Sequence, residues 1–183
     1  AVIGCIPKTS FLFRSKRGTV EGMLIHFSYW ELENATERFS ATNLIGIGGS
    51  SHVYRGNLRD GRIVAVKKMK TQHGPDAENV FLTEIELLSR LHHCHVVPLL
   101  GYCSEYKGKH VERLLVFEYI PNGNLRECLD GHSGKFLDWT TRVAVALGAA
   151  RGLEYLHEAA APKILHRDVK SSNILLDEKW RAK

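Results

Sequence analysis

Residues 164–176 read Ile164-Leu165-His166-Arg167-Asp168-Val169-Lys170-Ser171-Ser172-Asn173-Ile174-Leu175-Leu176. His166, Arg167, Asp168, Lys170 and Asn173 crowd between two short apolar runs, which predicts a reactive loop clamped at both ends by strands or core contacts. The spacing is the informative part: His-Arg-Asp, any four residues, then Asn. Asp and Asn are also common turn formers, so a turn-ordering role for Asp168 and Asn173 stands beside the chemical one.

The chain has 183 residues, 44% apolar and 25% charged, enough for one good core or two small lobes sharing a cleft. Its four cysteines, at 5, 94, 103 and 128, show no paired spacing, so neither a disulfide framework nor a zinc ribbon is indicated and a reducing compartment fits. Of the formal charge of +5, Lys8, Arg14, Lys16 and Arg17 against Glu21 place +3 within the first 30 residues. The remainder is close to neutral, which argues against a nucleic-acid-binding face. The basic flank fits either an anionic membrane surface or a solvated tail. No run approaches the ~18 apolar residues of a membrane span. Because the chain starts at Ala1 and stops at Lys183 without a natural ending, it reads as a piece of a longer protein.

Residues 1–38 lack sustained periodicity and read as a linker, with Phe27, Tyr29, Trp30 and Leu32 as docking points and the domain starting near Phe39. Gly46-Ile47-Gly48-Gly49-Ser50-Ser51-His52-Val53 follows, then Asp60-Gly61, a hairpin signal, and Ile63-Val64-Ala65-Val66-Lys67. The glycines therefore lie between two antiparallel strands rather than opening a helix, which excludes a dinucleotide fold. Small residues there let backbone lie close over phosphates, although a merely flexible hairpin shows the same glycines. In the next strand Val64, Val66 and Lys68 share one face, and Ala65 and Lys67 the other.

From Asp76 to about His92, Phe81, Ile85 and Leu88 form a helical stripe, with Pro75-Asp76 as a start signal. Glu84 falls on that apolar side, where a carboxylate is costly unless paired, whereas Glu86 reads as a rim residue. His92-His93-Cys94-His95 cannot easily converge on one tetrahedral ion, so these residues mark a helix end before a strand at Val96–Leu100. Leu114–Ile120 reads as a buried strand broken by Pro121-Asn122-Gly123, after which Asn124 and Glu127 form a capping box. Asp138 to His157 is the strongest helix, with Trp139, Val143, Leu147, Ala150, Leu153 and Leu156 at helical spacing and Gly148, Ala149 and Gly152 permitting close packing.

Taken together these segments resemble plant receptor-like serine/threonine protein kinases, most closely their novel cysteine-rich receptor-like kinase subgroup. The loop matches H-R-D-x-x-x-x-N, Val64-Ala65-Val66-Lys67 matches V-A-I-K, and Gly46, Gly48 and Val53 fit G-x-G-x-x-G-x-V. Phe27 to Thr36 is similar to the segment that precedes the kinase core in that family. The resemblance implies an α+β, two-lobed fold: a linker over 1–38, an antiparallel sheet with one helix and the hinge over 39–120, and part of a helical lobe over 121–183. It implies transfer of the ATP γ-phosphoryl group, with Mg2+, to a Ser/Thr hydroxyl of a protein substrate, in a membrane-spanning parent whose kinase part faces the cytoplasm.

The resemblance also assigns roles. Lys67 would bind the α/β-phosphates, leaving Lys68 a solvated charge, and Glu84 would orient Lys67. Asp168 would position the hydroxyl, Lys170 neutralise the transferred group and Asn173 hold the metal. Arg167 would pair with an activation-loop phosphate. Gly46, Ile47, Gly48, Gly49, Ser50, Ser51 and Val53 would cover the nucleotide, Ala65 would contact it, backbone groups of Glu118 and Ile120 would face the adenine, and Phe117 would gate the pocket behind it.

Two departures bear on activity. No Asp-Phe-Gly occurs in the 183 residues, so the second magnesium carboxylate of the family is missing from them. The chain is accordingly expected to catalyse weakly or not at all and, with the helix at 138–157 lacking its covering helices, to be poorly soluble. The rival reading is a truncated module that binds nucleotide or partners without transferring phosphate. The other departure is Ser51, which replaces the third glycine and would stiffen the loop or hold it off the nucleotide. In a protein carrying the complete domain, Ser51→Gly is expected to raise kcat/KM for ATP; an unchanged or lower value in steady-state assays would show that the serine is no handicap.

Overall fold

Val64 and Val66 alternate with Ala65 and Lys67 along one strand, and that alternation defines the two faces of the six-stranded sheet on which the chain is built. The computed structural model describes residues 24–70, 76–131, 134 and 136–183; Cys5, the basic residues Lys8, Arg14, Lys16 and Arg17, and Pro75 lie outside them. The elements run β1 (Ile25–His26), α1 (Tyr29–Ala35), β2 (Leu44–Ile47), β3 (Ser51–Asn57), β4 (Ile63–Met69), α2 (Ala77–Ser89), β5 (Leu99–Lys107), β6 (His110–Glu118), α3 (Leu125–Leu129) and α4 (Trp139–Glu154). Spatial order is β1-β5-β6-β4-β3-β2. Neighbours from β5 to β2 are antiparallel, and β1 adds a parallel edge beside β5.

One face carries Val64, Val66, Leu114, Val116 and Cys103 under Phe27, Leu32 and Ala35 from the N-terminal segment. The opposite face carries Val53, Ala65, Leu115 and Phe117 against Phe81, Ile85 and Leu88 of α2. A third cluster joins Cys128, Leu137, Val145, Leu176 and Ala182. The turn between β3 and β4 forms where Asp60-Gly61 predicts it, with Gly61 at φ +86° and the Arg62 amide donating to Asp60 Oδ1.

Packed structure extends further toward the N-terminus than a start near Phe39. Ser28 caps α1 by accepting from the Glu31 amide at 3.1 Å. Phe27 and Leu32 are fully buried, but Trp30 is 56% exposed. Helical geometry separates them: Tyr29, Leu32 and Ala35 share a face, and Trp30, about 100° round from Tyr29, lies instead against the Arg59 guanidinium. The chain comes this close to β5 because position 101 is glycine, where a Cβ would collide with the Ile25 carbonyl and the Phe27 ring.

Two further expectations are corrected, and the long helix forms where it was expected. The strand after the histidines starts at Leu99, not Val96; Pro98 has no N–H for a ladder, and its carbonyl instead accepts from the Glu118 amide. Lys68 is not a solvated charge: it is half-buried, 3.2 Å from Glu112 and over the Phe39 ring. The long helix has its cap at Asp138, but its last turn, Tyr155–Ala159, widens to π geometry. Trp139, Val143 and Leu147 face outward, at 78%, 48% and 51% exposure, while Val145, Gly148 and Gly152 face the rest of the described chain. The capping box at Asn124 and Glu127 is complete, with both hydrogen bonds present.

The contrast within α1 is measurable. Leu32→Ala should destabilise the chain by about 2–5 kcal/mol, the range for a core leucine, and Trp30→Ala by no more than about 1 kcal/mol. Urea unfolding followed by fluorescence or circular dichroism checks the order, and equal losses would contradict the packing.

Candidate active site

Residues 164–176 are held by core contacts and isolated bridges rather than by long strands. The Ile164 amide donates to Leu156 O at 2.7 Å, that of Leu176 to Gly123 O at 2.9 Å, and that of Leu125 to Ile174 O at 2.8 Å. Ile164, Leu175 and Leu176 are buried, so the polar residues between them are presented on a short, anchored span. Within it Arg167 adopts left-handed backbone, φ +58°, and Ser171–Asn173 make one 3-10 turn.

Asn173 Nδ2 donates both to the Asp168 carbonyl, at 2.8 Å, and to its carboxylate, at 2.9 Å. The two residues thus do order a turn, and in doing so they fix the carboxylate. Lys170 Nζ lies 2.9 Å from the same carboxylate oxygen. The Lys170 ammonium first, then the Asn173 amide, hold the Asp168 carboxyl below the usual carboxylate range. The Asp168 amide donates to His166 Nδ1 at 3.3 Å, and burial lowers the His166 pKa.

The amide orientation of Asn173 has a second result. With Nδ2 committed to Asp168, Oδ1 points elsewhere, buried and without a hydrogen-bond partner. An orphaned amide oxygen costs about 1–3 kcal/mol, and an oxygen-seeking cation such as Mg2+ would satisfy it beside a carboxylate. Asn173 Oδ1 is therefore one candidate oxygen ligand for a magnesium ion.

Lys67 and Glu84 meet between sheet and helix, Nζ to Oε1 3.9 Å, with side-chain exposures of 6% and 19%. The 3.9 Å separation is a Coulomb contact, longer than a hydrogen bond. Burial pushes the Glu84 carboxyl up and the Lys67 charge partly opposes it. β4 carries Ala65 and Lys67 on the α2 side and Lys68 on the α1 side, so each lysine serves a different layer.

The glycine-bearing loop joins β2 to β3. The Gly48 amide donates to Ser51 O, the Lys70 amide to Ser50 O and Lys70 Nζ to Gly49 O, each at 2.8 Å. Gly46 and Ser51 are buried and Ile47 is 65% exposed. Below the sheet edge lies a cavity of about 320 Å³. Of the sequence-derived candidates, Val53, Ala65, Glu118 and Ile120 line it. Gly46, Ile47, Gly48, Gly49, Ser50 and Ser51 do not, and Phe117 lines a separate apolar cavity of about 160 Å³ between α2, α4 and the reactive loop. Sequence reasoning missed Ile45 and Leu175, which also line the larger cavity. From sequence Leu175 reads as part of the apolar clamp, and nothing in its spacing marks it as lining a cavity.

The histidines at 92–95 have structural work. His93 stacks on Tyr155 with centroids 4.7 Å apart, and His95 Nδ1 lies 2.8 Å from the Ala182 carbonyl. The described residues hold no group of three or more His, Cys, Asp or Glu arranged for a metal.

Residues 39–183 match the protein kinase domain family. Receptor-like serine/threonine-protein kinase NCRK of Arabidopsis thaliana is 62% identical across the whole chain, which spans 33% of that protein. Proline-rich receptor-like protein kinase PERK7 of the same organism is 50% identical over 86% of the chain and 22% of its own length. The chain thus spans a third or less of these curated relatives. Among solved structures, the pseudokinase domain of BIR2, described as an immune regulator of the RLK/Pelle family, is similar at TM-score 0.71 and 39% identity, covering 84% of this chain and 47% of that one. The apo GRMZM2G135359 pseudokinase is similar at TM-score 0.77 and 33% identity, covering 94% and 62%. The fold is accordingly α+β and kinase-like.

Glu84 offers a test of the buried pair. Glu84→Ala leaves an ammonium in the interior and should cost about 3–5 kcal/mol, whereas Lys67→Met with Glu84→Leu removes both charges and should cost less than the single change. Chemical unfolding of the three proteins decides, and a double variant weaker than Glu84→Ala would contradict it.

Proposed function

The chain belongs to the protein kinase domain family, and from that premise we propose that it is the nucleotide-binding and hydroxyl-positioning part of a receptor-like serine/threonine protein kinase. The observation that carries this reading is the Asp168 carboxylate held between Lys170 and Asn173, next to a buried Asn173 oxygen that lacks a partner. In the proposal Asp168 orients a Ser/Thr hydroxyl of a protein substrate and Lys170 offsets charge on the transferred phosphoryl group. Lys67, steadied by Glu84, binds the α/β-phosphates of ATP. Gly46 to Ser51 and Val53 cover the nucleotide, Ala65 contacts it, backbone groups of Glu118 and Ile120 face the adenine, and Phe117 closes the rear. Asn173 Oδ1 would hold Mg2+, which when bound supplies neutralisation of the phosphate charge.

The finer attributions belong to the same proposal. A division into linker (1–38), sheet lobe with hinge (39–120) and second lobe (121–183) is supported at residue 39 by the start of the family match and near the hinge by the end of β6 at Glu118, with Ile25–Ala35 of the linker docked on the sheet. Kinship with the cysteine-rich receptor-like subgroup rests on the motif resemblance. A membrane-anchored parent with this part on the cytoplasmic face is supported by the receptor-like names of the relatives. No helix among the described residues is long and apolar enough to cross a membrane.

A second reading, a non-catalytic module that binds nucleotide or partners, is favoured by two similar structures described as pseudokinases. Radiolabelled transfer from ATP to a protein substrate separates the two, run on this chain and on a protein carrying the complete domain. The longer protein should be active, with Asp168→Asn or Lys67→Ala lowering kcat by about 10²-fold or more and Lys68→Ala largely sparing it. This chain should bind nucleotide with little or no transfer. Equal loss from Lys67 and Lys68, or robust Asp168-dependent transfer by the 183-residue chain, would overturn the respective assignment.

A further inference from the structure

Beyond Asn173 the chain makes a tight return, and its last residue faces the hinge. Leu175 and Lys183 exchange both backbone hydrogen bonds, at 2.9 and 2.8 Å, and Asp177, 2% exposed, organises the turn between them. The Asp177 carboxylate accepts from the Lys179 and Arg181 amides and from the Arg181 guanidinium, while its carbonyl accepts from Asn122 Nδ2 at 2.7 Å. The backbone of Lys183 is therefore fixed.

Its side chain runs along the apolar cavity that Phe117 and Asn173 also line, and is only 13% exposed. An ammonium so far from water needs a partner. It has the Glu118 carboxylate at 3.8 Å, itself 45% exposed. Glu118 ends β6, its amide is tied to Pro98 O, and it lines the larger cavity as Leu175 does. The pair thus links the return hairpin behind the reactive loop to the strand end that borders the nucleotide cavity.

We propose that Lys183 is a positioning residue for nucleotide: by holding the Glu118 carboxylate it fixes the backbone of Glu118 to Ile120 against which the adenine lies. The inference rests on the nucleotide-binding reading above. It concerns order in the hinge, not fold stability. Removing the ammonium takes a charge out of an apolar lining, a change that is often neutral or stabilising, while Glu118 stays hydrated.

The test uses the 183-residue chain with MgATP as probe, measuring affinity by calorimetry and hydrogen exchange at the amides of Glu118, Tyr119 and Ile120 without nucleotide. Lys183→Met should weaken MgATP roughly fivefold or more, the scale of a modest coupling between sites, and speed exchange at those amides, with Tm unchanged or higher. Lys183→Arg should restore both readouts. Glu118→Gln should reproduce the loss, and Lys183→Met combined with Glu118→Gln should be no worse than either alone. Lys163→Met, which breaks an exposed pair with Glu158, serves as control and should change nothing. Unchanged affinity and exchange in Lys183→Met, or losses from Lys183 and Glu118 that simply add, would overturn the proposal. If the unaltered chain binds no MgATP, the nucleotide reading itself falls, and hinge exchange alone then judges the Lys183 contact.

Discussion

An ammonium group buried between a sheet and a helix constrains everything around it. Lys67 can sit at 6% exposure only because Glu84 arrives from α2 on the same side, and Glu84 arrives there only because Phe81, Ile85 and Leu88 seat that helix on the sheet. The apolar contacts supply the driving force, at about 25 cal/mol per Å² removed from water, and the charges supply the register. Sliding α2 by one residue would turn the carboxylate roughly 100° away and leave the lysine without a partner. The same requirement fixes β4: a one-residue slip would exchange Lys67 for Lys68, which is already engaged by Glu112 and the aromatic rings of Tyr29 and Phe39.

The polar cluster at 166–173 is organised on a different principle. Its backbone is clamped by buried Ile164, Leu175 and Leu176, and its side chains are then ordered among themselves. Asn173 spends both amide hydrogens on Asp168, so the carboxylate is oriented and the Asn173 oxygen is left available. One residue thereby both shapes the turn and leaves its own side-chain oxygen unpartnered. Evidence for turn formation is for that reason not evidence against chemistry at such a site.

Much of this was legible in the sequence because short-range rules decide it. Period-two alternation placed Lys67 and Lys68 on opposite faces, helical spacing put Glu84 on the buried side of α2, and Asn124 with Glu127 marked a helix start. What escaped depends on contacts far apart in the chain. Which face of the long helix packs is set by contact too: Gly148 and Gly152 approach His95 closely, and the stripe of Trp139, Val143 and Leu147 is left outward. Leu175 reads as core from its neighbours, and only the folded chain shows that its outer side borders a cavity. The docking of Phe27 to Ala35 was partly seen, but its depth depends on Gly101, some seventy residues on, lacking a side chain.

That docking gives the sheet a mechanical aspect. The chain enters at Ile25, pairs in parallel with β5, and threads Phe27 and Leu32 onto the face of the sheet opposite Lys67. Tension applied from the N-terminal side would load the β1–β5 hydrogen bonds in shear, since parallel strands pulled along their length strain their links together. Force would reach the sheet through its edge and through the packed underside of β4, one residue thickness from the buried ammonium. A segment packed this way couples the sheet edge to the face of β4 opposite Lys67.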